Sequence, residues 1–364
     1  MKVALVHDYL MQGRRGAEQV LACLHELYPQ APVYTLLYDE KLMRSMCAGW
    51  DVRTSFLQRL PHAQRLHKRL LPLMPQATER LPLQEYDLVL SSSSAWVKSV
   101  RTRPDATHIC YCHSPARFLW FWSEQYLATL SAGRMTKAAA RRMLSHLRRW
   151  DRSTCHRPSR YIANSRLVQR RIREHFGRDS ALIYPPVDCD RFLPRGEDRE
   201  HFVVVSALNP YKRVDLAVEA CTRRGLPLVV IGDGPERARL QALAGPSVKL
   251  LGWREEAEVD YWVGTCRAFL MPQEEDFGIA TVEAQSAGRP VIAYGAGGAL
   301  ETVAPGRTGL HFAEQTVECL GEALRHFEGQ VFEKAACRAQ ALRFSKQRFM
   351  AELREEVDRV LAGR

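Results

Sequence analysis

What this chain lacks narrows its class before any motif is considered. No apolar run approaches the roughly 20 residues that a membrane-spanning helix requires. The apolar opening Met1-Lys2-Val3-Ala4-Leu5-Val6-His7-Asp8 is followed by no small-residue cleavage site, so it is expected to be a first strand and not a signal peptide. The ten cysteines (Cys23, Cys47, Cys110, Cys112, Cys155, Cys189, Cys221, Cys266, Cys319 and Cys337) show no framework spacing, which points to reduced thiols in a cytoplasm. Their one cluster, Cys110-Tyr111-Cys112-His113, has no second ligand pair at zinc-site distance; its two cysteines are expected to share one face of a strand as small core residues. A Gly-x-Gly-x-x-Gly turn after strand one is also missing. Asp8-Tyr9-Leu10-Met11-Gln12-Gly13-Arg14-Arg15-Gly16 has the wrong spacing, which argues against a nicotinamide dehydrogenase.

Acidic residues are scarce in the first half only. Residues 1–190 carry 29 Lys and Arg against 16 Asp and Glu, a net +13, while residues 191–364 carry 23 against 25, a net −2. Two segments hold most of the excess. In Arg53 to Arg80, the bases Arg59, Arg65, Lys68 and Arg69 alternate with Phe56, Leu57, Leu60, Leu66, Leu70, Leu71, Leu73 and Met74. In Arg134 to Arg160, Lys137, Arg141, Arg142, Arg148, Arg149, Arg152 and Arg157 face only Asp151. Mixed basic and apolar segments are attracted to anionic lipid surfaces, by about 1 kcal/mol per basic residue near the membrane. Peripheral contact with an anionic membrane is therefore expected. A solvated basic helix face accounts for the same charge, and no recognised nucleic-acid module appears, so nucleic acid is not expected as a partner.

The 364 residues suit two domains, each large enough to bury its own core, and an apolar share of 46% with 26% charged residues is that of a globular protein. Strands are predicted at Val3–His7, Val33–Leu37, Asp87–Leu90, His108–Cys112 and Tyr161–Ala163, then at Phe202–Val205, Leu228–Ile231, Val248–Leu251, Ala268–Met271 and Val291–Ala293. Helical stretches separate them, one over Ala17–Leu27 and another capped by Asn164-Ser165 and closed by Gly177. Regular alternation in both halves predicts an α/β protein with two parallel sheets. The stiff Tyr184-Pro185-Pro186-Val187-Asp188 stretch reads as the interdomain connection, which puts the domains at 1–188 and 189–345. Phe344–Leu361 has the spacing of an amphipathic helix.

The most informative stretch runs from Gln273 to Val291 and contains two glutamates, Glu275 and Glu283, with seven residues between them. An apolar strand leads in, and an Ala-rich helix is predicted to start near Phe277. Glu275 then sits at the carboxyl end of a strand, the usual ligand position in an open α/β sheet. The N–H groups of Phe277, Gly278 and Ile279 fall at the helix N-terminus, where anionic or hydroxylated ligands dock. A sugar nucleotide needs both kinds of group: N–H donors for phosphate and carboxylates for hydroxyls.

This element resembles the E-x7-E signature of retaining GT-B glycosyltransferases of family 4, and other segments extend the likeness over nearly the whole chain. Arg15-Gly16-Ala17-Glu18 resembles the family's Gly-Gly-x-Glu loop, with Arg15 in place of the first glycine. Tyr111-Cys112-His113-Ser114-Pro115-Ala116-Arg117-Phe118-Leu119-Trp120 resembles a stretch of the bacterial mannosyltransferase branch, which often has an acid where this chain has Phe121. Val205 to Asp215 resembles the Arg-x4-Lys pyrophosphate clamp; Lys212 matches the lysine, and Ala207 stands where many members have arginine. Ile231-Gly232-Asp233-Gly234-Pro235-Glu236 and the glycine loop Tyr294–Val303 match weaker family features.

The resemblance implies two Rossmann-like domains facing each other across a cleft, with residues 346–364 as a helix crossing back to the first domain. It implies transfer of a hexose with retention in cell-surface polysaccharide or lipopolysaccharide synthesis, from GDP-mannose first and a UDP-sugar second, to a lipid-linked saccharide or other glycan. A nucleotide-sugar epimerase of the same fold is the alternative. Gly16, Lys212, Arg213, Phe277, Gly278, Ile279 and Glu283 would hold the donor nucleotide, and Glu283 its ribose. Glu275 and His113 would contact the donor sugar, and Arg117 the acceptor. With no Asp-x-Asp motif at a strand end, no metal or other cofactor is expected beyond the nucleotide-sugar co-substrate. The implied location is the cytoplasm, peripherally on the inner face of the membrane.

Overall fold

Short apolar runs bounded by polar turns become the inner strands of two separate parallel sheets. A computed structural model describes residues 1–11, 16–128, 133–194 and 196–363, which divide into a first unit of Met1–Pro186 with Phe349–Arg364 and a second of Val187–Arg348.

The first unit contains β1 (Val3–Leu10), β2 (Val33–Tyr38), β3 (Val52–Thr54), β4 (Leu88–Ser93), β5 (Thr107–Cys112), β6 (Arg160–Ala163) and β7 (Ser180–Leu182). All pair in parallel in the order β3-β2-β1-β4-β5-β6-β7. The chain winds outward from β1 in one direction and then from β4 in the other, so the order reverses between these two strands. In parallel sheets a ligand crevice forms outside the carboxyl ends at such a reversal. Helices cover both faces. On one, the terminal helix Lys346–Ala362 buries Phe349, Leu353 and Val357, spaced one turn apart, in a cluster with Leu5, Val20, Leu24, Tyr111 and Ile162. The Phe349 ring meets that of Tyr111 edge-on at 5.7 Å. Cys110 and Cys112 are buried together against Tyr161 and Val168, as their alternation on β5 predicts.

The basic Arg53–Arg80 segment folds as short helical turns, Phe56–Arg59, Ala63–Leu66, His67–Leu73 and Met74–Glu79. Its apolar residues divide. Leu57, Leu71 and Met74 join the core, while Leu60, Leu66 and Leu73 are exposed beside Arg59, Arg65, Lys68 and Arg69. The second basic segment is one long helix, Arg134–Ser153, that buries only Leu144, Leu147 and Asp151. No helix among the described residues is long and apolar enough to cross a membrane.

The second unit contains β8 (Phe202–Val205), β9 (Leu228–Ile231), β10 (Val248–Gly252), β11 (Ala268–Met271), β12 (Val291–Tyr294) and β13 (Gly309–Phe312). They form a parallel sheet in the order β10-β9-β8-β11-β12-β13, which reverses between β8 and β11. Each unit is thus a Rossmann-like doubly wound sheet.

Candidate active site

The reversal point of the second sheet brings together residues 63 positions apart. After β8 the chain makes a tight 3₁₀ turn, Pro210–Lys212, and enters the helix Val214–Arg224 through Arg213, which is left-handed at φ 48°. A side chain in that conformation costs about 1–2 kcal/mol, and such strain collects where a functional group must be aimed. Lys212, on the lip of this turn, sends Nζ to Oε1 of Glu275, which follows β11. Gln273 Nε2 donates to the same oxygen at 3.1 Å. Lys212 and Glu275 retain only 15% and 16% exposure, so the pair is poorly screened but still accessible. Arg213 pairs instead with Asp215, to which its Nε donates at 3.3 Å.

The helix after Glu275 begins at Ile279, two residues later than its sequence predicts, because Gly278 is left-handed at φ 85° and caps it without a side chain. The cap residue therefore offers no side chain to the first turn of that helix, where Thr281 N–H donates to Gly278 O at 3.0 Å. Phe277 places its ring in the interior, 5.3 Å from Phe344. The glycine loop after β12 braces this turn: Gly298 N–H donates to Glu275 O at 2.8 Å. A Cβ on Gly298 would lie 2.2–2.4 Å from the Phe277 backbone, and one on Gly297 would lie 2.2 Å from Glu275 O. Only glycine permits that approach, so a loop that looks unremarkable in sequence sets the position of the glutamate.

Glu283 lies just over one turn into the helix, only partly exposed. Burial raises its carboxyl to about 7; Arg191 opposes the shift, and Asp260, Glu256 and Asp188 add to it. Arg191 is itself held by Asp260 at 2.7–3.1 Å and by Glu256 at 3.3 Å. A carboxylate raised in this way gains most from ligand hydroxyls that donate to it. Sequence reasoning did not find Arg191, which lies just after the Pro-rich connection with no motif spacing to Glu283.

In the first unit the reversal point holds His7 on β1 and Ser92 on β4, with His113 just past β5. His7 and Ser92 are register partners, as are Ser92 and Tyr111. His113 Nε2 lies 2.8 Å from Ser92 Oγ, and its carbonyl accepts from Asn164 Nδ2 at 3.0 Å. Burial, aided by His7 and Arg117, lowers His113 to about 3, and burial lowers His7 to about 4. Both imidazoles are neutral at physiological pH. The buried Asp8 carboxylate accepts from the N–H groups of Ser94, Ala95, Trp96 and Val97 at 2.5–2.9 Å, which fixes the loop after β4. Arg117 opens the helix Arg117–Trp120, and its guanidinium lies 5.0 Å from the Trp122 ring. Gly16 is the first residue of the helix Gly16–Leu27, whereas Arg15 lies outside the described residues. Lys212 and Glu275 therefore meet at the reversal of one sheet, with Gly278 and Glu283 on the helix that follows, and His113 stands at the reversal of the other. His7, Ser92 and Arg191 are additions that sequence alone did not single out.

Comparison with known proteins agrees with this architecture. Residues 15–191 match the family model described as Glycosyltransferase Family 4, and residues 190–341 match Glycosyl transferases group 1. A GDP-mannose-dependent alpha-mannosyltransferase of Mycolicibacterium smegmatis is 34% identical over 154 residues, covering 38% of this chain and 40% of that protein. A GDP-mannose-dependent alpha-(1-6)-phosphatidylinositol monomannoside mannosyltransferase of Mycobacterium tuberculosis is 33% identical over 192 residues, 44% of this chain and 50% of that protein. The chain thus matches these relatives over half of their length or less. Among solved structures, Anabaena HepE in complex with UDP-glucose superposes with a TM-score of 0.70 at 18% identity, covering 98% of this chain and 100% of that one. With two doubly wound units, and with the two family models meeting at the connection between them, this chain belongs to the GT-B glycosyltransferases of family 4.

Proposed function

We propose that this protein is a retaining glycosyltransferase that moves mannose from GDP-mannose to a lipid-linked saccharide or related glycan in cell-surface polysaccharide synthesis. The observation that carries the reading is the Lys212–Glu275 pair at one sheet reversal, followed directly by the glycine-capped helix that bears Glu283. Departure of the nucleoside diphosphate concentrates negative charge on its β-phosphate. Lys212 has three N–H donors; one serves Glu275, no other hydrogen-bond acceptor is recorded for Nζ among the described residues, and the remaining donors would serve phosphate oxygens. The helix N–H groups add fixed positive dipoles, and such pre-aimed donors supply much of an enzyme's transition-state stabilisation. This charge balance leads us to expect turnover without a metal ion. Glu283 is assigned to the ribose hydroxyls, Glu275 to those of the transferred sugar, and His113 to the same sugar. With one carboxylate given to the nucleotide, the pair is unsuited to serve as the nucleophile and acid of a hydrolase.

Relatives named for GDP-mannose and for α products support the choice of donor. GDP-mannose carries its sugar in the α configuration, so an α product requires retention. The exposed Leu60, Leu66 and Leu73 among Arg59, Arg65, Lys68 and Arg69 support a peripheral site on an anionic membrane, where a lipid-linked acceptor resides. A thermal-shift panel of GDP-mannose, GDP-fucose, UDP-glucose and UDP-N-acetylglucosamine tests the donor, because tight binding raises apparent stability by mass action. A shift largest with GDP-mannose supports the reading, and one largest with a UDP-sugar replaces the donor. Release of an epimerised free sugar without any acceptor would replace the reaction class.

A further inference from the structure

The hydrogen bond behind His113 determines what that imidazole can offer a ligand. Ser92 is fully buried on β4, and His113 Nε2 is the sole recorded partner of its Oγ among the described residues. Its hydroxyl has one proton, which needs an acceptor. If Nε2 carried a hydrogen and donated to Ser92, the serine proton would be left buried with nowhere to go. The pair is satisfied only when Ser92 donates and Nε2 accepts, which leaves the ring hydrogen on Nδ1. His113 is partly exposed, and no described residue is recorded as a partner of its Nδ1.

We infer that Ser92 is a positioning residue whose buried hydroxyl fixes His113 as the Nδ1–H tautomer, so that the histidine presents a hydrogen-bond donor, and not an acceptor or base, to the transferred sugar. This rests on the reading above that His113 contacts that sugar. The low pKa of His113 keeps the ring neutral through the physiological range, where the two nitrogens differ in role and the second partner decides which is protonated. His7, the register partner of Ser92, is likewise neutral and buried, and its interaction with Ser92 is through the backbone and not through the hydroxyl. The fold contains a second buried serine–histidine pair for comparison: Ser91 Oγ lies 2.8 Å from His108 Nε2, but there Nδ1 is buried with no partner among the described residues.

The test uses full-length protein labelled with ¹⁵N-histidine, with the His113 signals assigned through His113→Gln. Wild-type spectra should show Nδ1 protonated and Nε2 bare, and Ser92→Ala should shift His113 toward the Nε2–H form. In transfer assays Ser92→Ala should lower kcat about tenfold, the loss expected for one hydrogen bond made in the transition state, with donor KM changed less than about twofold. Ser92→Thr, which retains the hydroxyl, should keep the wild-type tautomer, and Ser91→Ala should leave both readouts unchanged. A wild-type Nε2–H spectrum overturns the inference, as does full kcat in Ser92→Ala. Absence of transfer with any nucleotide sugar would instead defeat the functional reading, and the spectra would still decide the tautomer.

Discussion

Glu283→Gln should stabilise the second unit at pH 8 while weakening donor binding there, because the carboxylate that would grip the ribose is held in an unfavourable place. Its folded value of about 7 stands above the ordinary 4.5, so the unfolded chain loses this proton first as pH rises. Stability therefore falls between those two values and stays reduced above 7. At about 1.4 kcal/mol per unit the full penalty has an upper bound of about 3.5 kcal/mol, and partial exposure reduces it to about 1–2 kcal/mol. Glutamine keeps the shape and removes the charge. For a unit of this size the melting temperature at pH 8 should rise by about 3–6 °C, and at pH 5, where roughly a quarter of the penalty applies, by only a degree or so. Melting curves at the two pH values, alongside the affinity for GDP-mannose at pH 8, make the measurement. A variant no more stable than wild type at pH 8, or equally stabilised at both, refutes the assignment of a strained carboxylate.

Other substitutions separate the remaining roles. Lys212→Ala removes a charge-assisted bond of about 1.5–3 kcal/mol, so kcat/KM for the donor should fall roughly ten- to hundredfold with the fold intact; unchanged kinetics would take Lys212 out of the phosphate site. Glu275→Gln should lower kcat more than it raises donor KM, since contacts to the transferred sugar change as its bond breaks. A lower melting temperature with unaltered turnover per folded molecule would make Glu275 purely structural. Co-sedimentation with vesicles should rise with anionic lipid and fall with salt, because screening shortens the reach of Arg59, Arg65, Lys68 and Arg69; equal recovery on neutral and anionic vesicles would point to an acceptor away from the membrane.

The inner strands were legible because each is a short apolar run between turns. The three strands absent from the sequence reading, Val52–Thr54, Ser180–Leu182 and Gly309–Phe312, are all sheet edges. An edge strand is paired on one side only, so short segments interrupted by Arg53, Ser180 or His311 suffice and leave no apolar run to find. Lys212 and Glu275 could be singled out in sequence as ligand-binding candidates, though not the ion pair that joins them, which only the β8–β11 adjacency creates. His7 and Ser92 look like ordinary strand residues until the register sets them beside each other and Ser92 beneath His113. Gly297 and Gly298 read as a commonplace turn, and their function as a brace for Glu275 and Phe277 emerges only from contact distances.

Calorimetric titration of GDP-mannose into wild-type protein, Lys212→Ala and Glu283→Gln tests the central claim most directly, since it measures donor binding without requiring the acceptor. The account predicts saturable one-to-one binding to wild type, weakened about tenfold or more in both variants, by loss of a charge-assisted bond in each. Undiminished affinity in both variants, or no saturable binding of this or any other nucleotide sugar, would contradict it.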